Sequence, residues 1–355
     1  MIAVALSGGV DSAAAALILH EQGEQIIGVT LYLHEGIPAR GQLERAGRLC
    51  RHLGITHHVL DARREFASIT DYFAREYLSG RTPNPCVACN RDIKFRHFRN
   101  HAISLGADMM ATGHYVRRVF GNGRHYLLRA REKNSQEYFL GLLPQESILH
   151  CLFPLGEIPR SQAQELVNGC GIKIPGPHSS QDVCFVPRGD YVSFIRSSTG
   201  HEPVPGCILD PEGRILGTHR GVVRYTPGQR KGLGTGFGRK VYVFTKDTKN
   251  NTITVGDRSQ WPYTGFIVRE MNFMRAASIR DELVVRAKVR YRQEPQRAHI
   301  RPAGGRTFEV AYAGICAPGQ LAVFYDRQNA ILAAGIIDTL VTNPHSPGQG
   351  HNEGW

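Results

Sequence analysis

The chain has 355 residues, 41% hydrophobic and 21% charged, an ordinary balance for a globular protein with room for two or three cores. No run approaches the roughly 20 apolar residues of a membrane span, and a glycine-rich loop beginning at Ser7 leaves no space for a leader peptide, so the expected compartment is the cytosol. A formal charge of +12, from 43 Lys+Arg against 31 Asp+Glu, points to a polyanionic partner. No basic amphipathic segment of the membrane-binding kind accompanies it, which favours nucleic acid and no membrane.

In chain order, Ile2–Leu6 reads as a buried strand and Ala13–Gln22 as an Ala- and Leu-rich helix. Gln25–Leu33 is a second strand, followed by a helical stretch to Leu53, and Thr56–Leu60 a third strand. A helix over Lys94–Ser104 precedes a fourth strand, Asp108–Thr112. This β–α alternation predicts an α/β, doubly wound parallel sheet with helices on both faces. After about Phe194 the pattern changes. Gly and Pro punctuate short runs at Gly221–Tyr225, Val241–Phe244 and Thr252–Val255. Alternating segments follow at Leu283–Tyr291, Arg297–Arg301, Thr307–Tyr312, Gln320–Tyr325 and Ala330–Ile337. Such spacing predicts small β domains, the last a barrel. The expected division is a catalytic domain over 1–196, a β-rich central domain over 197–257, a C-terminal β-barrel over 258–340 and a disordered tail over 341–355.

Ser7-Gly8-Gly9-Val10-Asp11-Ser12 joins the first strand to the first helix. Two glycines let the backbone approach a ligand, and the N–H groups at the helix start suit phosphate oxygens. Ser7 and Ser12 add hydroxyls, and Asp11 can hold Mg²⁺ or orient pyrophosphate. A Walker A loop is excluded, because the Lys-Ser/Thr ending is missing. The loop resembles the SGGxDS loop of enzymes that cleave ATP between its α- and β-phosphates. In these enzymes a carbonyl oxygen is adenylated, pyrophosphate leaves, and a nucleophile displaces AMP.

Of eight cysteines, Cys86, Cys89 and Cys184 stand in unusual local sequence, and in a reducing compartment the eight are expected mostly as thiols. Seven segments in order carry a resemblance over nearly the whole chain. They are Thr82-Pro83-Asn84-Pro85 with Cys89-Asn90, Ala111-Thr112-Gly113-His114-Tyr115, Tyr138-Phe139-Leu140, Ser180-Gln181-Asp182-Val183-Cys184-Phe185, Thr226-Pro227-Gly228-Gln229-Arg230-Lys231-Gly232-Leu233-Gly234, Arg290-Tyr291-Arg292 and Ala317-Pro318-Gly319-Gln320. Together they resemble the tRNA-specific 2-thiouridylases.

The resemblance implies that ATP adenylates the 2-carbonyl oxygen of a wobble uridine in tRNA and that a persulfide sulfur on Cys184 then displaces AMP. Cys89 would resolve the persulfide as a disulfide with Cys184, or supply the attacking sulfur itself. It further implies that ATP and Mg²⁺ are met by Ala5, Leu6, Ser7, Gly8, Gly9, Val10, Asp11, Ser12, Leu31 and Gly113. Asn84, Pro85 and Cys86 would meet the target base. His114, Asn134, Ser135, Gln136, Arg290, Tyr291, Arg292 and Gln320 would contact tRNA, and an upstream sulfur-carrier protein or sulfide source is implied.

Two departures stand out. Many family members have Asp where this chain has Cys86, so the usual proton-handling carboxylate is missing. The change creates Cys86-x-x-Cys89, and with Cys184 three thiolates could ligate a [4Fe–4S] cluster with one open iron; a Zn²⁺ site would want a fourth ligand. Gln136-Glu137-Tyr138 replaces a more usual Asp-Gln-Ser-Tyr and reads as local drift. Two rival readings are an amidoligase acting on a small adenylated substrate, which gives the cysteines no role, and a non-catalytic RNA-binding protein with a structural metal.

Overall fold

The computed structural model describes residues 1–35, 37–171, 174, 183–186, 189–234 and 236–342, the side chains of 37–39 excepted. Its first layer is a five-stranded parallel sheet. β1 (Ile2–Ala5) leads into α1 (Val10–Glu21), β2 (Ile26–Tyr32), α2 (Ile37–Leu53), β3 (His57–Asp61) and α3 (Arg63–Leu78). The short α4 (Pro85–Cys89) runs on through a π-helical stretch, Asn90–His97, into α5 (Phe98–Ser104) and β4 (Met109–Ala111). A hairpin follows, β5 (Val116–Gly121) and β6 (Arg124–Arg129), then a 3₁₀ turn at Glu137–Leu140, α6 (Gln145–Leu149), β7 (Cys151–Leu152) and α7 (Arg160–Gly169).

Strand order is β3-β2-β1-β4-β7, so the chain reverses direction across the sheet between β1 and β4. β1 pairs in parallel with both, Ile2 lying opposite Ile26 and Met109. Such a switch point opens a crevice at the carboxyl ends of the strands. It places the Ser7–Ser12 loop, after β1, beside Thr112–His114, after β4. Ala13 to Ala16 of α1 are fully buried, which lets that helix lie close to the sheet and bring its N-terminus to the crevice.

α8 (Tyr191–Thr199) leads to a four-stranded sheet of β8 (Gly206–Leu209), β9 (Ile215–His219), β10 (Tyr242–Asp247) and β11 (Thr252–Gly256), ordered β10-β11-β8-β9. The last six strands close a barrel: β12 (Tyr263–Phe273), β13 (Leu283–Lys288), β14 (Gln296–Pro302), β15 (Phe308–Tyr312), β16 (Leu321–Tyr325) and β17 (Ile331–Thr342). Closure leaves no exposed strand edge.

Several expectations shift. The run Gly221–Tyr225 contains a 3₁₀ turn, Val222–Arg224, rather than a strand, because Gly221 at φ 108° breaks extended backbone. A boundary at 196/197 falls inside α8, whose Val192 and Ile195 pack with Phe73 and Tyr77 of α3 and with Val223 of the central domain. β17 runs to Thr342, paired with Tyr263, two residues past the expected barrel end at 340. Residues 343–355 of the expected tail, and Ser180-Gln181-Asp182, lie outside the described residues.

The β5–β6 hairpin went unread in the sequence although Asn122-Gly123, at φ 54° and 72°, is the two-residue turn such hairpins favour. It ties the first domain to the barrel. Arg124 donates from Nε and Nη2 to the carbonyls of Met274 and Phe273, both at 2.8 Å. One continuous core includes Phe95, Phe98 and Tyr138 of the first domain with Leu321, Val323 and Ile331 of the barrel.

Candidate active site

The loop Ser7–Ser12 is braced from three sides. Gly8 sits at φ 70°, and a Cβ there would stand 2.4 Å from the Gln42 carbonyl oxygen, so only glycine fits. Arg45 Nε donates to the Gly8 carbonyl at 2.8 Å. Ser12 Oγ accepts from the Ser7 N–H at 3.1 Å and donates to the Gly9 carbonyl at 3.0 Å, with Ser7 Oγ 3.1 Å away. Gly113 presses on the other side, where a Cβ would lie 2.6 Å from the Asp11 carbonyl. The strand ends thus position Ala5, Leu6, Val10 and Gly113 around the loop, with Leu6 and Val10 buried beneath it and Leu31 on the neighbouring strand.

Asp11 has two partners that sequence reasoning did not find. Tyr115 donates its hydroxyl to Oδ1 at 2.9 Å, and Arg160 Nε stands 3.5 Å from the same oxygen. Burial and the Asp11 charge hold the Tyr115 phenol well above its ordinary range, so it stays a donor. Glu132 joins them, accepting from the Arg160 N–H at 2.9 Å and the Asn134 N–H at 3.3 Å. Arg160 opens α7 directly after Pro159 and carried no local signal of a role.

These groups form one end of a cleft of about 520 Å³. Asn84, Pro85 and Cys86 line it from the N-terminal end of α4, and Asn134, Gln136, Arg290, Tyr291, Arg292 and Gln320 line it from the loops and barrel. Four of them are placed by specific contacts. Gln320 Nε2 donates to the Thr82 carbonyl at 2.8 Å, Arg290 Nη2 to the Pro227 carbonyl at 2.7 Å, and the Tyr291 hydroxyl to the Asn134 carbonyl at 3.1 Å. Gln136 Oε1 accepts from the Tyr115 N–H at 2.9 Å. Four expected tRNA contacts therefore arrive from the barrel domain and two from the 134–136 loop on a common wall.

Two other expected contacts are placed differently. Ser135 is 3% exposed and its hydroxyl is engaged with the Ala130 N–H and the Tyr115 carbonyl, so it shapes the loop rather than facing the cleft. His114 packs on Phe95 and lies 2.9 Å from Thr112 Oγ1 through Nδ1. Burial, with Lys94 adding to it, drives its pKa down to about 3, which keeps the imidazole neutral.

The three thiols share one electrostatic neighbour. Cys86 is half-buried at the second position of α4, Cys89 is buried at its last position, and Cys184 is exposed. Phe185 anchors the Cys184 segment, its ring 5.6, 5.2 and 4.9 Å from those of Phe66, Phe73 and Phe194. Desolvation raises all three thiol pKa values, that of Cys89 to about 11, while the Lys94 cation lowers each. The π-helical stretch explains the reach of Lys94. With i→i+5 bonding, a residue turns through roughly 80° rather than 100°, so Lys94, five places after Cys89, swings back toward the cysteine face. Among the described residues no three His, Cys, Asp or Glu side chains converge to hold a metal ion.

Glu137, which the sequence offered as drift, is fully buried. Its Oε1 accepts from the Tyr325 hydroxyl at 2.9 Å and faces Lys288 Nζ at 3.5 Å. Lys288 lies 5.5 and 5.3 Å from the ring centres of Tyr138 and Tyr291. A buried ion pair thus joins the 134–140 segment to the barrel beside the cleft wall.

Three family models cover the chain: a tRNA methyl transferase HUP domain over 1–188, a tRNA methyl transferase PRC-barrel domain over 192–257, and an aminomethyltransferase beta-barrel domain over 263–337. The tRNA-specific 2-thiouridylase MnmA 2 of Clostridium botulinum is 36% identical over 350 residues, 96% of this chain and 99% of that protein. The tRNA-specific 2-thiouridylase MnmA of Carboxydothermus hydrogenoformans is 38% identical over 355 residues, 95% of this chain and 97% of that protein. Among solved structures, the U34-tRNA thiolase NcsA of Methanococcus maripaludis with its [4Fe-4S] cluster aligns at a TM-score of 0.36 and 20% identity, over 56% of this chain and 64% of that one, a likeness too slight to carry an argument. Identity above one third along essentially the full length, with the site motifs in order, means that this chain belongs to the tRNA-specific 2-thiouridylase family.

Proposed function

We propose that this protein is a tRNA-uridine 2-sulfurtransferase that uses ATP. The observation that carries the reading is the single cleft that joins the end of the Ser7–Ser12 loop at Asp11, the α4 segment with Cys86 and the basic barrel wall at Arg290–Arg292. ATP lies along the loop with its phosphates on the N–H groups at the start of α1. Asp11 fits a Mg²⁺ ion: both protein contacts fall on Oδ1, leaving Oδ2 for the metal. The Mg²⁺ would neutralise the pyrophosphate that leaves.

A uridine flipped into the cleft meets Asn84, Pro85 and Cys86. Its 2-carbonyl oxygen attacks the α-phosphorus, pyrophosphate departs, and the adenylated carbon becomes electrophilic. The terminal sulfur of a Cys184 persulfide attacks that carbon and AMP leaves with the oxygen. Cys89, as thiolate, then attacks the Cys184 sulfur, breaking its bond to the transferred sulfur. The products are 2-thiouridine and a Cys89–Cys184 disulfide, which an external thiol reductant reopens. Lys94 holds the thiols closer to ionisation than burial alone would. Tyr115, Glu132 and Arg160 are the polar groups that surround Asp11 at the loop end of the cleft. The sulfur reaches Cys184, which is exposed, from a persulfide-bearing donor protein: the Cys184 thiolate attacks the donor's terminal sulfur and the donor's cysteine leaves as a thiolate. A reducing cytosol suits such chemistry, and no described helix is long and apolar enough to cross a membrane.

The [4Fe–4S] alternative asks Cys86, Cys89 and Cys184 all to converge on one cluster, whereas the persulfide route asks only Cys89 and Cys184 to meet. The amidoligase alternative leaves an exposed thiol and a buried thiol around Lys94 without purpose. The test is thiolation of an unmodified tRNA transcript, with AMP counted against 2-thiouridine. One AMP per thiouridine, abolished by Cys184→Ser, supports the reading. ATP cleavage without tRNA dependence overturns it.

A further inference from the structure

The sequence Gln229-Arg230-Lys231-Gly232-Leu233-Gly234 and its continuation to Lys240 have no part in the chemistry above. Residues of the stretches 230–234 and 236–240 border a second, open cavity of about 430 Å³ in the central domain. Leu233 and Val241 are buried in that domain's core and Phe237 packs against it, so three apolar anchors pin the loop from below. Arg230, Arg239 and Lys240 remain exposed around the rim, and no described carboxylate lies within ion-pair distance of them. Asp257 feels the Arg239 charge but is not within ion-pair distance of it, and its Oδ1 caps the next turn, accepting from Ser259 N–H at 3.0 Å and Ser259 Oγ at 2.8 Å.

The glycines here are informative. Gly234 needs its φ of 79°, but Gly236 has no positive φ and a Cβ on it would meet nothing within 4 Å. The fold demands nothing of Gly236, whereas a side chain there would narrow the cavity mouth. Position adds the occupant. Thr226 lines the uridine cleft, and Arg230 is four residues further on, at most about 14 Å of extended chain. The intervening Gly228 is pressed against Arg290 of the cleft wall and donates its N–H to the Val243 carbonyl at 2.7 Å, which fixes the two sites relative to each other.

We propose that the cavity rimmed by Arg230, Arg239 and Lys240 is a binding subsite for RNA phosphodiesters of nucleotides flanking the target uridine. It holds the RNA backbone in register while the base occupies the cleft. This rests on the tRNA-thiolation reading and adds a site to it. Guanidinium forks and bare glycine backbone suit phosphate oxygens, and such contacts release counterions on binding.

The test is the affinity of the full-length protein for an unmodified tRNA transcript, without ATP, over a series of KCl concentrations. Each lost phosphate contact should flatten the slope of log Kd against log salt by about 0.7 to 0.9, so Arg230→Gln, Arg239→Gln and Lys240→Gln combined should flatten it by roughly 2 and weaken binding tenfold or more near 0.15 M. Gly236→Val should weaken binding with an unchanged melting temperature. Lys249→Gln, an exposed lysine away from the cavity, should leave the slope unmoved. A triple variant with wild-type slope and affinity overturns the subsite and leaves the thiolation reading standing. A wild-type protein that neither binds nor thiolates tRNA overturns both.

Discussion

Replacing Lys288 by Met removes the only cation within ion-pair distance of the Glu137 carboxylate among the described residues. Glu137 is 0% exposed and Lys288 4%, so water cannot take the lost partner's place. One Glu137 oxygen keeps the Tyr325 hydroxyl, while the other has no hydrogen-bond partner. Breaking a buried pair from one side typically costs about 3–5 kcal/mol, whereas replacing both partners is often neutral. Arg129 is also within electrostatic reach of Glu137, which places the expected loss near about 3 kcal/mol. For a protein of this size that corresponds to a fall in Tm of roughly 4 °C. Glu137→Gln with Lys288→Met should recover most of it, since the amide still accepts from Tyr325. Thermal melts of the two single variants and the double variant form the assay. A Lys288→Met melt equal to wild type, or a double variant no better than the single, would refute the reasoning.

Gly113→Ala should cut tRNA-dependent AMP formation at least a hundredfold by pushing the backbone of Asp11 and Ser12, with tRNA affinity unchanged; equal AMP formation would show that the loop tolerates the shift. Lys94→Met removes the cation that lowers the pKa of Cys86, Cys89 and Cys184, so thiolate becomes scarcer at a given pH and the pH–thiolation profile should move to higher pH; an unmoved profile would disconnect Lys94 from the thiols. His114 is held neutral down to about pH 3, while an unfolded histidine takes its proton near 6.5, so the unfolded chain binds more protons between these values. Stability should therefore fall as pH drops below about 6.5, and His114→Gln should flatten that fall in acid-titrated melts; a parallel loss in both proteins would contradict it.

Much of this was legible in the sequence, because local signals carried it. The Ser7–Ser12 loop announces itself through glycine, strand and helix in immediate succession, and hydrophobic runs mark β1 to β4 without tertiary help. The barrel strands were readable from alternation, though β12 (Tyr263–Phe273) was not, since its bulges break the period of two. What the sequence hid was long-range. Tyr115 and Arg160 converge on Asp11 from separate elements. Glu137 looked like drift because Lys288 lies 151 positions away. Lys94 reaches the cysteines only because a π-helical stretch turns it, and nothing in Asn90–His97 advertises that geometry.

The central claim concerns the route of sulfur, and one single-turnover experiment tests it most directly. Iron-free protein, chelator-treated and charged as the Cys184 persulfide by a cysteine desulfurase with cysteine, is mixed with ATP and an unmodified tRNA transcript. Transfer of the loaded sulfur to give 2-thiouridine, with a Cys89–Cys184 disulfide formed in equal amount and no product from Cys184→Ser, is the predicted result. Inert iron-free protein, with thiolation returning in proportion to bound iron and lost on Cys86→Ala, would contradict the persulfide route and assign the three cysteines to a cluster.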